Sequence, residues 1–181
     1  MTIRIATIAL CWLTILLAGC SSIRVLDTKA DEGFRLSNYS TFDFYEVETG
    51  GDALEAYAPQ LDFLRQEIAR QLEQRGLKQS SSDPELKINL GLVVASKVQT
   101  RETRYGSDAP YYIGQRRYTW KSEEVVVNNY KQGTLSLHLV DNATNKLVWQ
   151  GAAEGVLPEN NTPKIQKRIS EGVQKLLQQI P

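Results

Sequence analysis

The stretch LKINLGLVVA, residues 86–95, alternates large apolar side chains with polar or small ones. This alternation is typical of a β-strand, because successive side chains of a strand point to opposite faces of a sheet. The large side chains then share one face: Leu86, Ile88, Leu90, Leu92 and Val94. An apolar sheet face has to be covered, and amphipathic helices are the available cover. The stretch therefore predicts a sheet with helices packed on one side.

Two segments have the spacing that such helices need. In the first, which begins near Tyr57, apolar residues recur three and four positions apart, at Leu61, Leu64, Ile68 and Leu72. Gly76 should end this helix, because glycine readily takes the left-handed conformation that follows a helix. In the second, Pro163 suits a first helical turn, and the apolar positions are Ile165, Ile169, Val173, Leu176, Leu177 and Ile180.

Further strands are predicted on either side of residues 86–95. Aromatic and β-branched residues favour a strand over residues 39–45, and residues 125–139 read as one long strand bent by a bulge at Gly133. Residues 141–145 form a turn, and residues 147–157 return as the antiparallel partner. The sequence thus predicts an α+β two-layer sandwich over residues 38–181: a mostly antiparallel sheet of four or five strands, with two amphipathic helices on one face.

The start of the chain has the layout of a bacterial lipoprotein signal peptide. Arg4 precedes an apolar run over residues 5–18, which is shorter than the about 20 residues that a membrane-spanning helix needs. The run ends in Leu17, Ala18, Gly19 and Cys20, which resembles the lipobox of bacterial lipoproteins. This resemblance implies cleavage after residue 19 and lipid on Cys20. The residues that follow are mostly polar and without a clear period, which predicts a tether over residues 20–37. The alternative is an ordinary secretory signal with Cys20 as a free thiol.

The expected location follows from the same segment. Ser21 and Ser22 after the cysteine, without aspartate, resemble enteric lipoproteins that are sorted to the outer membrane. We therefore expect a lipid anchor in the outer membrane, on its periplasmic face. Nucleic acid is not an expected partner in that compartment, and the balance of 21 basic and 21 acidic residues does not favour it either. Cys11 lies in the signal peptide, so no disulfide is expected.

Candidate catalytic residues are few and unfavourably spaced. His138 is the only histidine, which rules out a histidine-rich metal site. On a strand it should face away from the leucines beside it, with Ser136 two residues along and Asp141 on the other face. Glu123 and Glu124 are neighbours and should point to opposite faces. The sequence therefore predicts a protein without enzymatic activity, cofactor or metal.

A segment rich in arginine and tyrosine, residues 101–120, is the predicted binding surface. It could form a long hairpin or a loop. Its cations and aromatic rings suit an envelope protein, a glycan or a lipid headgroup, whereas the alternative is a solvated hairpin whose tyrosines shield the sheet edge. The predicted contact residues are Arg101, Arg104, Tyr105, Tyr111, Tyr112, Arg116, Arg117, Tyr118 and Trp120.

Several stretches together resemble a family of bacterial lipoproteins, the domain-of-unknown-function 4136 family. The hairpin TLSLHLVD at residues 134–141 and NKLVWQG at residues 145–151 carries most of the likeness. The aromatic residues 39–44, the helix end at residues 75–77 and the last helix support it. The resemblance implies the envelope address and the fold, but no activity.

Three functions remain open at this level. The first is a non-catalytic binding or scaffolding domain on a membrane anchor. The second is a carrier or chaperone for a lipid or envelope polymer, and the third is an enzyme of unfamiliar type.

Overall fold

The computed structural model describes residues 23–45, 58–109, 119–158 and 162–181. These residues contain one six-stranded sheet and three helices, with a 3-10 turn at Leu36–Asn38. The strands are β1 (Ile23–Ala30), β2 (Thr41–Phe44), β3 (Lys78–Gln79), β4 (Leu86–Glu102), β5 (Glu124–Asp141) and β6 (Lys146–Leu157). The helices are α1 (Ala58–Glu73), the short α2 (Tyr105–Asp108) and α3 (Thr162–Leu177).

The sheet has the order β1-β6-β5-β4-β2-β3 and is mixed. Its first four strands are antiparallel neighbours, whereas β2 runs parallel to both β4 and β3. The α+β class is confirmed. The strand count, the mostly antiparallel pairing and the number of helices differ in detail from the prediction. Of the elements that were missed, β3 and α2 are each too short to leave a periodic signal.

The predicted tether, residues 20–37, is wrong at residues 23–30, which belong to the sheet. Residues 23–30 form β1, which pairs with β6 from Ile23↔Gly155 to Ala30↔Trp149. The register shifts between Val25 and Thr28, where β1 carries an extra residue, and this bulge breaks the alternation by which a strand is recognised. The folded domain therefore begins well before residue 38.

Both long helices cover the same face of the sheet, as predicted. Leu64, Ile68 and Leu72 of α1 and Val173, Leu176 and Leu177 of α3 share one core with β4, β5 and β6. Burial is not uniform along α3, because Ile165 and Ile169 near its start are half-buried while Val173 and Leu176 are fully buried. The helix layer and the sheet are thus packed tightly at the carboxyl end of α3 and less tightly at its amino end.

Gly76 ends α1, as predicted. Gly76 has a φ of +96°, a left-handed conformation that side chains disfavour. The Gly76 N–H donates to the Glu73 carbonyl at 2.9 Å, and the Leu77 N–H donates to the Leu72 carbonyl at 3.3 Å. These two bonds form a Schellman motif, which satisfies carbonyls at the helix end and turns the chain into β3.

The tight fit between sheet and α3 depends on a glycine. Trp149 of β6 is fully buried. A Cβ on Gly151 would lie 2.6 Å from Trp149 Cη2 and 3.0 Å from Leu176 Cδ1. Gly151 therefore leaves room for the indole ring under α3.

The described residues of the predicted binding segment, 101–109 and 119–120, lie at the outer end of a long hairpin formed by β4 and β5. β4 and β5 pair from Leu86↔Asp141 to Glu102↔Glu124, and β5 is continuous. The predicted bulge at Gly133 is wrong, because Gly133 pairs in register with Val94 and Gly155. The irregularity lies farther out, where Gln99↔Asn128 is followed by Thr100↔Val126 and Val127 is the extra residue.

Candidate functional site: a projecting hairpin arm

The outer half of the β4–β5 hairpin extends beyond the rest of the sheet. Among the described residues, β6 pairs with β5 only as far as Lys131, and β2 pairs with β4 only as far as Ile88. Residues 97–102 of β4 and 124–130 of β5 therefore form a two-stranded arm, which we call the hairpin arm. At about 3.4 Å per residue, the six residues of β4 make it roughly 20 Å long.

The arm has apolar side chains in contact with solvent. Val98 is 57% exposed, and Val126 and Val127 beside the bulge are 60% and 46% exposed. Isolated two-stranded hairpins are marginally stable in water, so an arm of this kind needs either local contacts or a partner. The described residues at its tip supply several local contacts.

Asp108 organises that tip. Its carboxylate forms a two-point ion pair with the Arg101 guanidinium, in which Arg101 Nη1 donates to Asp108 Oδ2 at 2.8 Å. The Arg104 backbone N–H and the Ser107 hydroxyl also donate to Asp108 Oδ2, each at 2.8 Å. The Arg101 hydrogen bonds, followed by those from Arg104 and Ser107, hold the pKa of Asp108 far below its usual range. The same ion pair raises the pKa of Arg101.

Hydrogen bonds also join the two sides of the tip. The Thr103 N–H donates to the Glu123 carbonyl at 2.9 Å, and the Glu123 N–H donates to Thr103 Oγ1 at 2.9 Å. The Ser122 hydroxyl donates to the Thr103 carbonyl at 2.8 Å. These hydrogen bonds hold the backbone in place before and after residues 110–118.

Two of the predicted aromatic contact residues meet at the tip. The rings of Tyr105 and Trp120 lie edge to face, with centroids 6.0 Å apart. Tyr105 is 51% exposed. Trp120 Nε1 is buried and has no hydrogen-bond partner in the described parts of the chain. The pair is an aromatic platform beside the Arg101–Asp108 ion pair.

The structure brings together four of the nine predicted contact residues. Arg101, Arg104, Tyr105 and Trp120 lie at the tip. The others lie outside the described residues: Tyr111, Tyr112, Arg116, Arg117 and Tyr118. Sequence reasoning missed the role of Asp108, although an aspartate within a Gly-Ser-Asp turn seven residues after an arginine is a usable signal.

The described part of the tip is not basic. Residues 101–109 and 119–124 include the cations Arg101, Arg104 and Lys121. They also include four acids, namely Glu102, Asp108, Glu123 and Glu124. Arg101 is moreover engaged by Asp108. The expected positive surface therefore depends on Arg116 and Arg117, which lie outside the described residues.

Two residues that were considered as catalytic candidates in the sequence lie on β5, and one of them has a clear structural role. His138 is half-buried on β5 between Asn89 and Gln150, on the face away from the leucines, as predicted. Asp141 accepts hydrogen bonds from the Thr144 N–H at 2.8 Å and from the Tyr39 hydroxyl at 3.0 Å. The Thr144 bonds are the main reason why the pKa of Asp141 is lowered. Asp141 therefore fixes the β5–β6 turn.

Two kinds of feature are absent from the described residues. No helix there is long and apolar enough to cross a membrane. No cluster of three or more histidine, cysteine, aspartate or glutamate side chains there has the arrangement of a metal site. The predicted lipobox residues, Leu17, Ala18, Gly19 and Cys20, lie outside the described residues.

The solved structures found to be similar to this chain share little sequence with it. A PDZ domain protein from Parabacteroides distasonis has a TM-score of 0.49 and 12% identity; the match covers 92% of this chain and 38% of that protein. PelC from Paraburkholderia phytofirmans, solved as a dodecamer, has a TM-score of 0.41 and 10% identity, covering 86% of this chain and 94% of PelC. This chain thus spans well under half of the PDZ domain protein. Among curated proteins, none matches.

The family comparison is more extensive. Residues 26–181 match the family described as Domain of unknown function (DUF4136). The match includes most of β1 and every later strand and helix, so it starts earlier than the resemblance at residues 38–181 suggested. This chain therefore belongs to the DUF4136 family.

Proposed function

We propose that this protein is an envelope lipoprotein, anchored in the outer membrane by lipid on Cys20, whose domain binds a partner protein without catalysing a reaction. The hairpin arm is the binding element. The observation that supports this most is the extension of the β4–β5 ladder beyond its neighbouring strands, with exposed valines along it and a fixed tip.

The arm suits a protein partner better than an anionic headgroup. Its described tip carries more acids than cations, and its principal arginine is already paired with Asp108. Exposed aliphatic and aromatic side chains that are held rigidly are typical of protein interfaces. The free edges of a two-stranded arm also offer backbone groups to a strand of the partner.

Anchoring is tested on the amino terminus. Mass spectrometry of protein from membranes should find a chain that begins at Cys20 and carries diacylglycerol and an acyl group. Cys20→Ala should abolish processing at this site and release the protein from the membrane fraction. An unmodified mature chain that fractionates with soluble proteins would contradict the anchor.

The binding role is tested by photo-crosslinking in living cells. Gly106 at the tip is a suitable site for a photoreactive amino acid, because a Cβ there meets nothing within 4 Å. Gln166 on the exposed side of α3 is the matched control. We expect a protein adduct of defined mass from position 106 that is absent from position 166. Equal adducts from both positions, or an adduct with lipid or glycan only, would refute the proposed partner class.

A further inference from the structure

An apolar cavity of about 100 Å³ lies between the parted ends of the two layers. The cavity walls come from α1, α3 and the sheet, and include Leu64, Leu92, Val94, Leu135, Leu157 and Ile165. It occurs where Ile165 and Ile169 of α3 are only half-buried. Gly133 and Gly172 also line it, and small residues at these positions leave the space open.

The charges at the cavity are already compensated. Of its lining residues, Arg168 is paired with Glu171 at 3.6 Å. Glu154 is paired with Arg24 at 3.2 Å and accepts a hydrogen bond from Gln132 at 2.6 Å. A free fatty acid would bring a carboxylate that none of these paired groups is available to balance. The lining thus fits a hydrocarbon chain whose carboxyl group is esterified or amidated.

The position of the cavity suggests the source of such a chain. Ile23, the first described residue of β1, lines it. Cys20 is three residues earlier, and three extended residues span at most about 11 Å. The residue that carries the lipid therefore lies within about 11 Å of the Ile23 backbone, which is at the cavity wall. An apolar cavity of about 150 Å³ holds a six-carbon ring, so this one accommodates roughly four carbons.

We propose that the cavity holds the end of one acyl chain of the lipid on Cys20 when the protein is outside a bilayer. This inference rests on the lipidation proposed above. Burial of part of an acyl chain in the cavity reduces the apolar surface that a lipoprotein exposes to water between membranes.

The test uses full-length protein from cells fed a fatty acid with a photoreactive group at its terminal carbon. The protein is purified with its lipid, detergent is removed, and the sample is irradiated. We expect adducts within the same chain on the β4 peptide containing Leu92 and on the α3 peptide containing Ile169. Mixing with isotopically heavy protein distinguishes these adducts from links between copies.

A substitution that fills the cavity provides the variant for this test. A Cβ on Gly172 meets only Ile23 Cδ1, at 3.8 Å, so Gly172→Leu adds volume toward the cavity without a clash at the Cβ. Each buried methylene contributes roughly fourfold to an equilibrium constant, so losing room for about four carbons should lower the equilibrium constant for insertion of the chain about 200-fold. Gln166→Leu, on the exposed side of the same helix, should leave the adducts unchanged.

The outcomes separate the two proposals. Label absent from Cys20 would refute both the anchor and the sheltered chain. Label on Cys20 with adducts only between copies, or only on peptides that do not line the cavity, would overturn the sheltered chain and leave the anchor intact. Equal adducts in Gly172→Leu and Gln166→Leu would also overturn it.

Discussion

Gly151 is the position where a single added methyl group should disturb the core. In Gly151→Ala the new Cβ would lie 2.6 Å from Trp149 Cη2, 2.9 Å from Trp149 Cζ2 and 3.0 Å from Leu176 Cδ1. Trp149 and Leu176 are 1% and 0% exposed, so neither can move into solvent. The indole ring is rigid, and relief requires a shift of the ring or of α3.

The expected loss of stability follows from two opposing effects. Overpacking of a close-packed core costs about 1–3 kcal/mol. Replacing glycine with alanine within a strand recovers about 0.5–1 kcal/mol of backbone entropy. The net effect should be a decrease of about 1–2 kcal/mol in the free energy of unfolding, which lowers the melting temperature by roughly 2–8 °C for a domain of this size.

Urea unfolding followed by far-ultraviolet circular dichroism measures this effect. With a slope of about 1–3 kcal/mol per molar urea, the midpoint should fall by roughly 0.3–2 M. Gly91→Ala is the matched control, because its Cβ meets only Ser136 Cβ, at an ordinary 3.5 Å. Gly91→Ala should unfold at the same urea concentration as the unaltered protein or at a higher one.

A double-mutant cycle tests the cause. Trp149→Phe removes the benzene-ring atoms of the indole that the new Cβ would meet, so the loss caused by Gly151→Ala should shrink by at least about 0.5 kcal/mol in that background. If Gly151→Ala is as stable as the unaltered protein, or if its loss is the same in the Trp149→Phe background, the close packing of Gly151, Trp149 and Leu176 is not what limits this position.

Three further substitutions test other parts of the structure. Gly76→Ala should lower the free energy of unfolding by about 1 kcal/mol in urea titrations, because an L side chain is disfavoured at φ +96°. Tyr39→Phe should lower it by about 0.5–1.5 kcal/mol through loss of the 3.0 Å bond to Asp141, and an unchanged midpoint would show that this bond adds nothing. Asp108→Asn should speed amide hydrogen exchange at the tip without moving the global midpoint. Since the pKa of Asp108 is depressed on folding, protection of the tip in the unaltered protein should be complete above the ordinary aspartate pKa and should decline progressively as the pH falls below it.

The hairpin arm shows which parts of a strand a side-chain pattern can predict and which it cannot. Alternation identified residues 86–95, but β4 continues to Glu102 through residues that are exposed on both faces and carry no apolar period. Strands of this kind are held by backbone pairing with their neighbour, which side-chain patterns do not record. The same reason applies to β1, where a bulge shifts the alternation, and to β3, which has two residues.

The sequence by itself determined the α+β class, both long helices, the glycine end of α1 and the β5–β6 hairpin. Each of these depends on local spacing or on the conformational range of one residue, and such signals are present in the unfolded chain. Only the tertiary structure decided the strand order, the parallel pairing of β2, the role of Asp108 at the tip and the cavity at the open end of the core. These features depend on residues far apart in sequence, whose contacts form only when the whole chain folds.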